Sequence, residues 1–109
     1  MTLITISKDQ NGSYRKLICK GHSGFAKAGK DIVCASVSVL VINTVNALED
    51  LGKESFETVF NEEDGYIRCD FSHPLHEHSI FLLDAMVYGL LRIQKEYGKK
   101  YLQVKFEEV

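Results

Sequence analysis

The chain has 109 residues, of which 45% are hydrophobic and 26% are charged, and its formal net charge is −2. A chain of this length builds one hydrophobic core, which predicts a single domain over residues 1–109. The near balance of charge gives no general attraction to nucleic acid or to acidic membranes. No apolar run approaches the ~20 residues of a membrane span, so we expect no membrane contact.

Two alternating segments open the chain. Residues 2–7 alternate and are rich in β-branched side chains, which predicts a strand. Asn11-Gly12 is a strong hairpin signal, and residues 13–20 are predicted to return as a second strand. The hairpin therefore pairs these strands antiparallel.

A loop and a helix follow. Gly21, Gly24 and Gly29 lie within nine residues, a density that permits unusual backbone angles and motion. Asp31 is a good cap for a helix that runs to Gly52. This helix is apolar nearly all round, which predicts burial on most of its circumference against the sheet and a second helix or subunit.

The second half repeats the pattern. Residues 56–60 and 66–71 are predicted to form a strand pair across the Asp64-Gly65 turn. Apolar residues at helical spacing predict a helix over 77–97, and alternation predicts a last strand over 101–106. The order ββαββαβ indicates an α+β fold: a two-layer sandwich with a mostly antiparallel sheet and two helices on one face.

His22 begins the glycine loop and Cys34 lies in the first turn of the following helix. Unpaired amides and the positive end of the helix dipole favour a thiolate at such a cysteine. A nearby imidazole would activate the sulfur and later protonate a leaving amine. The spacing therefore suggests a thiol nucleophile and its base, brought together by the loop.

Two further residues share a helix face with Cys34. Asp31, Cys34 and Ser38 fall at i, i+3 and i+7. Ser38 could bond to the sulfur or shape the pocket, while Asp31 could orient His22 or only cap the helix. The amides of the first helical turn could form an oxyanion hole beside the sulfur.

These residues carry a family resemblance. Gly21-His22-Ser23 followed by residues 29–38, GKDIVCASVS, resembles the signature of the ribosomal-processing cysteine protease Prp: G-H, a short spacer, G-x-D-I-V-C-A, then V-S. Ser23 replaces the alanine expected after the histidine, and the resemblance extends over essentially the whole chain. It implies a homodimer without a cofactor, in which Cys34 is the nucleophile and His22 the base.

The resemblance further implies a substrate and a location. A bacterial cytoplasmic endopeptidase of this family trims an N-terminal extension from the twenty-seventh protein of the large ribosomal subunit. Its cleavage site follows a pair of phenylalanines and precedes an alanine. Gly21, Asp31 and Ser38 match family positions around the active site.

The loop between base and nucleophile is a candidate lid. We hypothesise that Gly24 and Gly29 act as hinges and that Phe25 packs on an apolar side chain of the substrate. The three cysteines are an odd number, which favours free thiols in a reducing cytoplasm. Cys19, at an inward strand position, is expected to be a small buried hydrophobe.

Three other interpretations remain open. Residues 24–30 match G-x-x-x-x-G-K, but Asp31 stands where a phosphate-binding loop needs Ser or Thr. His73, His76 and His78, with Cys69 and Asp70, suggest a metal site, although His76 and His78 are expected to point away from each other, so we predict none. Finally, a reactive thiol also suits a non-catalytic redox sensor or a ribosome-associated binding module.

Overall fold

The computed structural model describes residues 1–27 and 29–109; Ala28, inside the predicted glycine loop, lies outside the described residues. The elements follow the predicted order ββαββαβ, which confirms the α+β fold. They are β1 (Thr2–Lys8), β2 (Tyr14–Lys20), α1 (Ile32–Asp50), β3 (Glu57–Asn61), β4 (Tyr66–Asp70), α2 (Glu77–Tyr97) and β5 (Leu102–Glu108).

The five strands form one sheet in the order β3-β4-β2-β1-β5. The pairs β1–β2, β2–β4 and β3–β4 are antiparallel, whereas β1 and β5 run parallel. Parallel neighbours need a crossover rather than a tight turn, and everything from β2 to α2 lies between these two strands. The sheet is therefore mixed: β3, β4, β2 and β1 pair antiparallel, and β5 pairs parallel with β1 at one edge.

The core lies between the sheet and the two helices. Alternate side chains of β1, β2 and β4 face inward, as the period-2 pattern predicts, whereas the edge strand β3 is exposed throughout. They meet the buried stripe of each helix, and the two helices also contact each other. The main contributors are Ile4, Ile6, Leu17 and Cys69 from the strands, Val37, Val41 and Leu48 from α1, and Leu83, Met86 and Leu90 from α2.

The expectation that α1 is buried on most of its circumference is wrong for the single chain. Val33, Val41 and Leu48 are buried, but Val39 is 68% exposed and Ile32 is 53% exposed. A helix lying on one face of a sheet presents only one stripe to the core, whatever its composition. An apolar outer face therefore remains uncovered along α1.

By length and composition α1 is also apolar enough to cross a membrane, which no run of the sequence had suggested. Small polar residues interrupt its apolar residues. The mean hydropathy of the helix is therefore high enough for a membrane span, although no uninterrupted apolar run is long enough. This is weak evidence, since a core helix passes the same test, and α1 packs its buried stripe against the sheet.

Candidate active site

The start of α1 is built by its cap. Asp31 has an extended backbone, and its Oδ1 accepts a hydrogen bond of 2.8 Å from the amide of Cys34. Its own carbonyl accepts from the amide of Ala35 at 3.0 Å. Cys34 is thus the third helical residue, half-buried in the first turn. Its amide is already engaged by Asp31 and is not free to bind an oxyanion.

Asp31 also ties the loop to the helix. Its Oδ2 accepts from Ser23 Oγ at 2.5 Å, from the amide of Phe25 at 3.1 Å and from that of Ala26 at 3.4 Å. Burial opposes ionisation of this carboxyl, but the hydrogen bonds outweigh it and hold the pKa of Asp31 below its ordinary value. Among the described contacts of Asp31 none reaches His22, so the structure places Asp31 as a cap and loop anchor.

The loop brings His22 back to the helix. Its Nδ1 lies 4.0 Å from Sγ of Cys34, and its Nε2 lies 3.4 Å from the carbonyl oxygen of Glu63. A carbonyl only accepts hydrogen bonds, so this contact favours the tautomer that carries hydrogen on Nε2. The lone pair of the neutral ring then lies on Nδ1, which faces the sulfur.

Two glycines fix the position of this imidazole. Gly21 has φ 90°, and a β-carbon there would lie 2.6 Å from the carbonyl oxygen of Met1. Gly65, in the β3–β4 turn, has φ 61°, and its β-carbon would lie 2.8 Å from the carbonyl oxygen of Gly21 and 3.0 Å from Cε1 of His22. The turn therefore lies directly against the His22 ring.

Two clefts meet at His22, Cys34 and Ser38. The first, of about 530 Å³, lies under the loop and is also lined by Gly24 and Gly29. The second, of about 350 Å³, runs between α1 and the sheet and is lined by residues that include Gly21, Ile42, Phe60 and Ile67. Ser38 is therefore a wall residue of both clefts.

The remaining loop residues are placed as follows. Gly24 has φ 72° and Gly29 has φ 84°, and both have open space where a β-carbon would lie. Their need for glycine is thus conformational rather than steric. The Phe25 ring lies edge-on to Tyr97 at 5.5 Å and to Tyr101 at 5.1 Å. In this state Phe25 anchors the loop to the end of α2.

The other two thiols are buried. Burial raises the pKa of Cys19 to about 12, with a smaller contribution from nearby Cys34. Burial likewise raises the pKa of Cys69 to about 11. Both side chains belong to the core, as expected for Cys19, and all three cysteines are free. A buried neutral thiol is a poor nucleophile, which leaves Cys34 as the accessible one.

The structure speaks against a phosphate-binding loop at residues 24–30. In such a loop, free backbone amides cradle the phosphate. Here the amides of Phe25 and Ala26 donate to the carboxylate of Asp31 instead. The same negative charge would repel a phosphate group.

The histidines before α2 differ from the expectation. His76 and His78 do not point apart: their rings stack with centroids 5.3 Å apart. His76 is the extended N-cap of α2, so helical spacing does not apply to this pair. Within the described part of the chain, the hydrogen bond of His73 is with Ser72, and Cys69 is buried in the core. Asp70, the fifth residue considered as a ligand, pairs with Arg68.

Sequence reasoning missed the contribution of the β3–β4 turn to the site. The Asp64-Gly65 pattern predicts only a hairpin, yet the carbonyl of Glu63 and the backbone of Gly65 both contact His22. The Glu63–His22 contact joins residues 41 positions apart. No local pattern reveals such a contact; the available signal was the glycine, which is open to more than one interpretation.

The fold is similar to that of solved structures, and the sequence is similar to that of curated proteins. A crystal structure of an essential ribosomal processing protease Prp from S. aureus, in complex with a covalently linked product peptide, superposes with a TM-score of 0.92 at 23% identity, covering 98% of this chain and 100% of that one. Among curated proteins, the ribosomal processing cysteine protease Prp of Bacillus subtilis is 29% identical over 103 residues, covering 89% of this chain and 90% of its own. The Prp of Staphylococcus aureus (strain Mu50) is 25% identical over 99 residues, covering 91% and 93%.

These similarities define the class of this protein, which is an α+β cysteine peptidase. The family model for cysteine protease Prp matches residues 1–103, nearly the full length. The chain therefore belongs to the cysteine protease Prp family, as the motif around His22 and Cys34 had suggested.

Proposed function

We propose that this protease removes an N-terminal extension from a large-subunit ribosomal protein, the twenty-seventh, with Cys34 as nucleophile and His22 as general base and acid. The observation that carries the proposal is the 4.0 Å approach of His22 Nδ1 to Cys34 Sγ. The family membership and the names of the relatives support ribosomal processing. The motif resemblance supports the particular substrate.

The proposed reaction follows cysteine peptidase chemistry. The proton of the Cys34 thiol passes to Nδ1 of His22, and the sulfur attacks the scissile carbonyl carbon. The carbon–nitrogen bond then breaks, and the leaving amine takes the proton from His22. Water, deprotonated by the same imidazole, hydrolyses the thioester and releases the acid, and the proton returns to the sulfur.

The bond from His22 Nε2 to the carbonyl of Glu63 suits this cycle. It keeps the Nδ1 lone pair toward the sulfur in the neutral ring and stabilises the imidazolium once Nδ1 is protonated. In this scheme the peptide carbonyl of Glu63 takes the position that a side-chain carboxylate or amide holds in many catalytic triads. Asp31 holds the helix start and the loop rather than the base.

The cleft beside Cys34 fits an apolar peptide. Beyond the sulfur it is bordered by Ile42, Phe60 and Ile67, and the same three residues continue into a further hollow of about 210 Å³ with Val45 and Thr58. Apolar walls of this kind gain free energy by covering large apolar side chains. This agrees with the pair of phenylalanines that the family resemblance predicts before the cleaved bond.

We further infer a homodimer in the cytoplasm. The exposed apolar side chains on the outer face of α1, such as Val39 at 68% exposure, support an interface with a second copy. Three free thiols support a reducing compartment. Sedimentation of the purified protein at micromolar concentration tests the dimer.

The test is cleavage of a peptide that spans a Phe-Phe-Ala site. We expect Cys34→Ser and His22→Ala each to lower kcat/KM by at least about 10³-fold, because each removes half of the catalytic pair. Cys69→Ala and His73→Ala are matched controls that replace the same residue types away from the clefts. Full turnover by His22→Ala would contradict the mechanism and favour a redox sensor, which needs no base.

A further inference from the structure

A second cluster of chemically active side chains lies where the segment after α1 meets the start of α2. Glu54, His76 and His78 each offer one ligand atom, and these atoms lie within 4.8 Å of one another. None of the three lines the clefts that meet at His22 and Cys34. The family assignment and the proposed protease chemistry give this cluster no role.

Glu54 is the unusual member because its side chain is only 2% exposed. Its Oε2 accepts from the amide of His76 at 2.9 Å and contacts His76 Nδ1 at 3.0 Å. The chain delivers it there through Lys53, the one described non-glycine residue with positive φ, at 54°. A buried carboxylate needs compensating partners, and here they come from the start of α2.

The two imidazoles form the open side of the cluster. His76 is the extended N-cap and His78 is the second residue of α2. Their rings stack with only 7° between their planes. His78 Nε2 lies 3.2 Å from the carbonyl oxygen of Gly52. Because a carbonyl only accepts, this bond leaves the lone pair of neutral His78 on Nδ1. A hydrogen bond of this kind is the outer contact that usually orients a metal-binding imidazole.

The inner wall is also polar. The hydroxyl of Ser79 is fully buried beside the Glu54 carboxylate. A β-carbon on Gly52 would lie 2.6 Å from this oxygen, so only glycine leaves room for it. A helix cap by Glu54 needs neither this buried hydroxyl nor a second imidazole. The surplus of polar groups points to a further occupant.

We propose that Glu54, His76 and His78 bind a zinc-class divalent cation, with one carboxylate oxygen, two imidazole nitrogens and solvent water as ligands. One carboxylate and two imidazoles are a ligand set that zinc accepts, and cobalt and nickel accept the same donors. Metal bonds of about 2.0–2.1 Å need ligand atoms about 3.4 Å apart, close to the 3.0 Å between Glu54 Oε2 and His76 Nδ1. The ion would replace the hydrogen atom between these two atoms, and the neutral His76 ring would then carry its hydrogen on Nε2. The ligand atom of His78 lies within 4.8 Å of the other two, and a small shift of this exposed side chain about its Nε2 hydrogen bond to Gly52 closes the remaining gap.

Such an ion would join the segment after α1 to the first turn of α2. It would stabilise the packing of these two segments and would take no part in the protease chemistry. Since the ion binds the folded arrangement and not the separated side chains, binding should raise the thermal midpoint. Peptide cleavage should depend on it only through stability.

The test uses the full chain carrying Cys34→Ser, so that a thiolate beside His22 cannot bind the added metal. After dialysis against a chelator, Zn²⁺ is titrated by calorimetry and Co²⁺ by visible absorption. We expect one ion per chain, and a rise in Tm on adding Zn²⁺. His78→Ala should weaken binding by more than about tenfold and abolish the Tm shift, since it removes a ligand.

His73→Ala is the matched control, because His73 precedes the same helix but lies outside the cluster. It should bind Zn²⁺ as tightly as the parent chain. Glu54→Gln should weaken binding as His78→Ala does, and its circular dichroism reports whether the cap has survived. Equal Zn²⁺ affinity in the His73→Ala and His78→Ala chains would overturn the proposal, as would no binding to the parent at millimolar Zn²⁺. Either result would leave Glu54 as a helix cap alone.

Discussion

Gly65 lies directly against the imidazole of His22: a β-carbon on Gly65 would come within 3.0 Å of His22 Cε1 and 3.3 Å of Nε2. His22 lies in the loop after β2 and Gly65 in the β3–β4 turn, yet this turn sets the position of the His22 ring. A substitution at Gly65 should therefore lower the activity by displacing His22, without any contact with the Cys34 sulfur.

Gly65→Ala should lower kcat/KM for the Phe-Phe-Ala peptide by about 10²-fold, because a displacement of about 1 Å of His22, the proposed base, has an effect of that size. The control is Gly12→Ala, in the β1–β2 turn, where φ is 79° and the new methyl group meets nothing within 4 Å. Both substitutions should cost about 1–2 kcal/mol of stability from the left-handed backbone. Equal activity of the two variants would show that Gly65 does not position His22.

The second prediction concerns the three thiols. Since burial raises the pKa of Cys19 to about 12 and that of Cys69 to about 11, neither should react with iodoacetamide at pH 7.5 in the folded protein. We expect a single adduct, mapped to Cys34 by peptide mass spectrometry. In guanidinium chloride all three should react. Rapid labelling of Cys19 in the native protein would contradict the packing of β2 against α1.

The third prediction concerns acid stability. The folded-state pKa of Asp31 is held below the ordinary value of 3.8, so the ionised carboxylate favours the folded state. Its contribution is complete above the ordinary value and is lost as the pH falls through the lower folded-state pKa. The free energy of unfolding should therefore differ between the wild type and Asp31→Asn at neutral pH, and this difference should shrink below about pH 4. Urea unfolding at several pH values measures it; a constant difference down to pH 2 would contradict it.

The fourth prediction separates two roles for Phe25. If its ring anchors the loop through Tyr101, Phe25→Ala and Tyr101→Ala should each raise KM. These increases should not add, since either substitution breaks the same contact. Edge-to-face pairs of this kind contribute about 0.5–1.5 kcal/mol. If Phe25 instead packs on the substrate, Phe25→Ala should raise KM as much in the Tyr101→Ala chain as in the wild type. A double-mutant cycle with the same peptide decides between them.

Most of the architecture was predictable because the local signals agree with one another. Asn11-Gly12 and Asp64-Gly65 mark the two hairpins, and period-2 and period-3.6 patterns place every element within about two residues of its observed bounds. Asp31 was identified as the cap from its residue type and position alone.

What the sequence could not predict are contacts between distant residues. The parallel pairing of β5 with β1 has no turn to announce it. The contact of Glu63 with His22 uses a backbone carbonyl, which every residue carries. The stacking of His76 on His78 depends on where α2 begins, and one residue of difference at a helix start changes which side chains meet.

The pairing of β1 with β5 joins Thr2 to Leu102 and continues to the Lys8–Glu108 pair. Closing so long a loop is entropically costly, and nearly the whole chain must exist before it can happen. The edge of β1 that β5 covers therefore stays unpaired in a nascent chain until residues 102–108 have also been made, so the sheet is completed only after all its other strands exist.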